Sequence, residues 1–193
     1  MRQRELFLHA DAALRDVVNR IAPDQLDLPA PADWTRAFDP RLRDVLNDHV
    51  RDEAWVPDVL AGRSIEEAGD RYAGDLLGDD PIAAYNAAND AATAAANADL
   101  DPEAIVHLSY GDFPVAVYFE HTATYRAFQA WSIARLIGYD FTLPPELVES
   151  LFEMVVPQAE AWRAMGVFGE PVDAPEGADR ETQLLAVTGY WRP

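Results

Sequence analysis

Apolar residues recur at helical spacing along most of this chain. In residues 3–21 they fall at Leu6, Leu14, Val17, Val18 and Ile21, which predicts a first helix. A proline-rich loop follows, with Pro23, Pro29 and Pro31 around Trp34. Asp39-Pro40 then opens a second helix, with proline in its first turn, running to about Ala61 and Gly62. Residues 79–98 are dense in alanine and begin Asp-Asp-Pro, which predicts a third. The stretch 105–109 (IVHLS) reads as a short extended link. From about Phe113 to Ile137 the chain is almost wholly apolar, a fourth helix stopped by Gly138. Pro144-Pro145 starts a helix to about Met165, with Pro157 as a kink site. Beyond it come loop and one short helix, Arg180 to Val187. The expectation is an all-α fold, one helical-bundle domain over residues 1–193 with a C-terminal extension from about 166.

Two helix faces carry the candidate chemistry. At 100° per residue, Leu42, Val45, Leu46, His49, Glu53, Val56 and Leu60 share one narrow stripe of the second helix. His49 therefore stands where an aliphatic residue belongs, and a buried imidazole needs a partner. Glu53, one turn later, or a backbone carbonyl is placed to be that partner. On the long apolar helix, His121, Tyr125, Gln129 and Ser132 share a face, while Ala116, Phe119, Ala123, Ala127, Ala130 and Ile133 form the opposite one. A helix apolar or uncharged on both faces is central and buried. The His121–Tyr125–Gln129 line suits a polar ligand, ordered water or internal hydrogen bonds. Arg126 on that helix requires a carboxylate partner or an exit to solvent. Converging His49, His121 and Glu53 would supply acid–base or metal-binding groups.

Composition narrows the options. Apolar residues make up 49% of the 193, enough for a sizeable core. There is no cysteine, so disulfides, thiolate ligands and a cysteine nucleophile are excluded. All 15 cationic side chains are arginine, which excludes a lysine Schiff base. A net charge of −19 opposes nucleic acid and anionic membranes as partners. No apolar run approaches the length of a membrane span, and the first residues turn polar too early for a signal peptide. A cytoplasmic protein is expected. Abundant Ala, Asp and Arg without Lys suggests a GC-rich bacterial genome.

Three segments resemble a known family, the mycothiol-dependent maleylpyruvate isomerase group of the DinB-like four-helix-bundle superfamily. APADWTRAFDPRLRDVLNDHV is similar to the family's loop tryptophan leading into a helix with a metal-ligand histidine, here Trp34 and His49. AWSIARLIGYDFTLPPELVESLFEMVVPQAEAWRAMGVFGEPV is similar to its last helix pair, and LLAVTGYWRP to its C-terminal ending. The resemblance covers nearly the whole chain. It implies a DinB-like four-helix bundle and a divalent metal, zinc or nickel, held by three residues. One matches His49. The other two, an acidic residue and a histidine four positions later, fall on Tyr125 and Gln129, and His121 lies one turn further along that face.

The activity implied by the resemblance is transfer or isomerisation assisted by mycothiol or a similar low-molecular-weight thiol, activated by the metal. His49 and His121 would be the catalytic groups. His49, His121 and Glu53 would hold the metal. Tyr125, Gln129, Ser132 and Trp34 would line a pocket for a small-molecule substrate. Pairing into a homodimer is implied as well. The other reading is a bundle that works without metal, as a small-molecule binder or a structural protein whose histidines are core polar groups. His9 and His107 are read as structural, and Asp39, Asp79 and Asp80 as helix caps.

Overall fold

The computed structural model describes residues 1–191. The chain is predominantly helical. Its elements are α1 (Gln3–Val18), α2 (Leu42–Leu60), α3 (Ile65–Ala68), α4 (Pro81–Ala96), a hairpin of β1 (Ile105–Leu108) and β2 (Gly111–Pro114), α5 (Val115–Ile137), α6 (Pro145–Val155), α7 (Ala159–Ala164) and α8 (Arg180–Val187).

Local chemistry explains the ends. Asp80 caps α4, its carboxylate accepting from the Ala83 N–H at 3.0 Å, with Pro81 in the first turn. Asp179 caps α8 by accepting from Thr182 at 2.8 Å. Gly138 ends α5 in the left-handed conformation. Pro157 breaks the expected helix to Met165: α6 stops at Val155, a 3-10 turn covers Val156–Gln158, and α7 restarts at Ala159. Asp39 is not a cap. Helix α2 begins at Leu42, and the Arg41 N–H is taken by Asp44 at 2.8 Å. Asp39 instead adopts a φ of +52° and pairs with Arg41. The extended link at 105–109 is half of an antiparallel hairpin, closed by a two-residue turn at Ser109-Tyr110, with Leu108 opposite Gly111.

The long helices pack in two close pairs, α1 on α5 and α2 on α4, and α1 also meets α4. Small residues allow the close approach: Ala10 and Ala13 on α1, Ala123, Ala127, Ala130 and Ala134 on α5, Ala92 and Ala96 on α4, all buried. Helices α2 and α5 are not such a pair. Their facing positions carry large polar or aromatic groups, including Trp55, Tyr118, Tyr125 and Gln129, and the seam between them stays open.

The core falls into two apolar clusters. One joins α1, α2 and α5 to α6 and α8 through Leu14, Leu46, Phe128, Leu151 and Leu184. The other gathers Phe7, Val56, Ala92, Val106 and Phe119. Polar residues divide them. On α2, Glu53 lies between Val50 of the first cluster and Val56 of the second; on α4, Asn89 lies between Tyr85 and Ala92.

Candidate functional site

His49 is 1% exposed on the core stripe of α2. Its ring faces α5, with its centroid 5.4 Å from that of Tyr125 and the planes inclined by 32°. Gln129, one turn beyond Tyr125, also reaches it and favours its protonated form. Burial outweighs this, and with the nearby charge of Arg126 pushes the imidazole down to about 4, so His49 is neutral at physiological pH. His49 Nε2 and Gln129 Oε1 are both buried without a hydrogen-bond partner among the described residues. The three positions to which the resemblance assigns metal ligands, 49, 125 and 129, thus come together in space.

Glu53 does not pair with His49. It belongs to a charged layer contributed by all four long helices. Arg126 of α5 donates to Asp11 of α1 at 2.5 Å, and its Nη2 lies 2.8 Å from Glu53 Oε2 as an ion pair without hydrogen-bond geometry. Tyr85 of α4 donates its hydroxyl to Glu53 Oε1 at 3.3 Å, and Thr93 donates to Asp11 at 3.0 Å. The guanidinium also sits 4.6 Å above the Phe7 ring. Although burial works against its charge, Glu53 and Asp11 hold Arg126 firmly protonated. One guanidinium cannot compensate two buried carboxylates. Burial and the Asp11 charge therefore raise Glu53 well above the usual carboxylate range, against the pull of Arg126.

His121 lies one turn before Tyr125 on α5, half-buried among aromatic rings, and the two line one cleft. Tyr110 is 5.9 Å away, Phe113 5.2 Å and Trp162 5.9 Å between centroids, and its Nδ1 meets the Tyr110 hydroxyl at 3.4 Å. Burial lowers its pKa. The structure does not assemble His49, His121 and Glu53 into one ligand set: among the described residues no group of three or more His, Cys, Asp or Glu side chains is placed to hold a metal ion. His9 is exposed, and His107 pairs with Asp112 at 2.8 Å across the hairpin.

The open seam forms three clefts that meet at Tyr125. The first, about 840 Å³, brings Trp34, Tyr125, Gln129 and Ser132 together in its lining. Its far wall is the C-terminal extension, with Phe168, Thr188 and Tyr190. The second, about 680 Å³, runs under the Trp34 loop along α2 past Asp44, Asp48, Arg51 and Asp52. That loop is tied down where Thr35 donates to Asp48 at 2.5 Å. The third, about 320 Å³, lies between α2, α5 and the hairpin turn. Asp52 lines both the second and the third. It is open to solvent yet recessed among protein groups, and desolvation pushes its carboxyl up to about 6.

Asp52 and Tyr110 are the residues that sequence reasoning missed here. Asp52 sits one position off the apolar stripe and reads as a solvated charge. Tyr110 reaches the site only through the hairpin turn, whose short strands carry little periodic signal. Comparison with protein-family models, with curated proteins and with solved structures gives no match. Among the described residues, no helix is long and apolar enough to cross a membrane.

Proposed function

We propose that this chain is a DinB-like four-helix bundle that binds a small molecule without a metal, at the His49–Tyr125–Gln129 seam. The observation that supports it most is the chemistry at three converging positions. One holds an unprotonated imidazole whose Nε2 has no hydrogen-bond partner among the described residues. The second holds a phenol that desolvation and nearby carboxylates keep neutral. The third holds an amide. A divalent metal prefers charged carboxylates and neutral imidazoles, and this set offers only one such donor. Glu53, the donor expected to complete it, is engaged by Arg126. The donor set therefore does not fit the metal-activated thiol chemistry implied by the resemblance.

The same groups suit an organic ligand. Gln129 Oε1 accepts from a ligand donor. His49 Nε2 gives or takes a hydrogen bond according to tautomer. Trp34, Tyr125 and Tyr190 supply apolar walls. Titration of the protein with zinc chloride and with a library of small metabolites, followed by NMR of the His49 ring protons, tests this reading. Metabolites shift the His49 resonances and zinc leaves them in place. Zinc bound at about one equivalent through His49 overturns it.

A further inference from the structure

The third cleft is built differently from the other two. Trp55 from α2, Tyr118 and Tyr125 from α5 and Tyr110 from the hairpin turn stand around it, with Asp52 among them. Each of these rings packs against an aromatic ring outside the set. Trp55 meets Tyr72, Tyr110 meets Phe113, Tyr118 meets Phe119 and Tyr125 meets His49. Among the described residues none of the four stacks on another of the four, and the His121 ring beside Tyr110 adds to the lining of the space they leave.

The electrostatics of this space are one-sided. Asp52 has no ion-pair partner among the described residues. The two arginines whose charge reaches it are engaged elsewhere: Arg51 holds Asp48 at 2.6 Å, and Arg126 holds Asp11 and Glu53. Arg126 reaches the wall of the same cleft, but its charge is answered by the buried Asp11 carboxylate it donates to. Besides desolvation, the charge of Asp52 raises the phenol pKa of Tyr110, Tyr118 and Tyr125, which places the carboxylate within electrostatic reach of three of the four rings.

Ring faces carry negative quadrupole potential, and a cage of them beside a carboxylate attracts a bulky, weakly hydrated cation. We infer that the cleft formed by Trp55, Tyr110, Tyr118, Tyr125 and Asp52 binds a small organic cation, an N-methylated or quaternary ammonium group. A volume of about 320 Å³ accommodates such a headgroup with a short substituent. The overall charge of −19 draws cations toward the surface before they enter. This inference rests on the reading of the α2–α5 seam as a small-molecule site and names the ligand class for its hairpin side.

Choline chloride is the probe, and 3,3-dimethylbutan-1-ol, its neutral carbon isostere, is the control. Binding is read by intrinsic tryptophan fluorescence at constant ionic strength, since Trp55 lines the cleft. Choline gives a saturable change, and the isostere binds weaker by about tenfold or more. Asp52→Asn, at a solvent-open position, weakens choline by about tenfold while circular dichroism stays unchanged and the unfolding midpoint does not fall. Tyr110→Leu weakens it too. Equal affinity for the isostere, unchanged choline affinity in Asp52→Asn, or no saturation by choline or tetramethylammonium up to ~10 mM each overturns the inference. If choline fails while metabolites still shift the His49 resonances, the cation cage is wrong and the small-molecule reading stands. If neither binds, both fall.

Discussion

Arg126 and Glu53 face each other across the seam between α2 and α5, Nη2 to Oε2 at 2.8 Å, with both side chains at most 2% exposed. This contact decides what the neighbouring groups can do. It removes Glu53 from the donors available to His49, and its positive charge helps keep His49 neutral.

Removing Arg126 leaves Asp11 and Glu53 buried without a cation. Arg126→Met therefore destabilises the protein by about 3–5 kcal/mol in urea unfolding. The triple variant Arg126→Met, Asp11→Leu, Glu53→Met recovers most of that loss, because the ion pairs and their desolvation cost disappear together. A triple variant as unstable as the single one would show that the layer stabilises by more than charge compensation.

His49 makes stability depend on pH. Its folded pKa of about 4 lies below the unfolded value of 6.5, so between these the unfolded state binds the extra proton. The contribution is complete above pH 6.5 and is lost as pH falls toward 4. It amounts to about 3 kcal/mol. Glu53 acts in the opposite sense: its raised pKa gives a benefit that is complete below the unfolded value of 4.5 and is lost as pH rises toward the folded value. Comparison with His49→Leu isolates the histidine: the wild type loses about 3 kcal/mol of stability relative to His49→Leu as pH drops through this window. A constant difference would place His49 in a hydrated site.

Gln129 carries a buried acceptor, Oε1, without a partner among the described residues. Gln129→Met relieves that cost and is neutral or stabilising by about 1 kcal/mol, while ligands that contact His49 bind more weakly. A protein made stable at the expense of binding is what a functional polar group predicts. Strong destabilisation would mark Gln129 as structural.

Gly189 fixes the C-terminal wall of the largest cleft. Its φ is +79°, and a Cβ there would lie 2.7 Å from the Glu170 carbonyl oxygen. Gly189→Ala costs about 2 kcal/mol and opens the cleft beside Tyr190, measured as a lower unfolding midpoint with a change in tryptophan emission.

Much of this was legible from periodicity. The apolar stripe of α2 put His49 in the core, and the uncharged faces of α5 marked it as central. Asp179 and Thr182 at the start of α8, and Gly138 after α5, are local signals that act where they stand. What stayed hidden depends on contacts distant in sequence. Asp11 and Arg126 are 115 residues apart, and no spacing rule links them. The i, i+4 relation of His49 and Glu53 allowed a pair, but a buried guanidinium attracts a carboxylate more strongly than a neutral imidazole does. The hairpin escaped because its strands are four residues each and the end of the second, Phe113-Pro114, falls within the stretch expected to be helical from about Phe113.

On the proposed reading, the seam at His49, Tyr125 and Gln129 holds a small molecule and no metal. Metal content after zinc or nickel loading and desalting, by elemental mass spectrometry, tests it most directly. The wild-type protein retains no stoichiometric metal. The variant Tyr125→Glu, Gln129→His retains about one equivalent and loses it on adding His49→Ala. A wild-type protein that holds about one equivalent, lost in His49→Ala, would contradict the account.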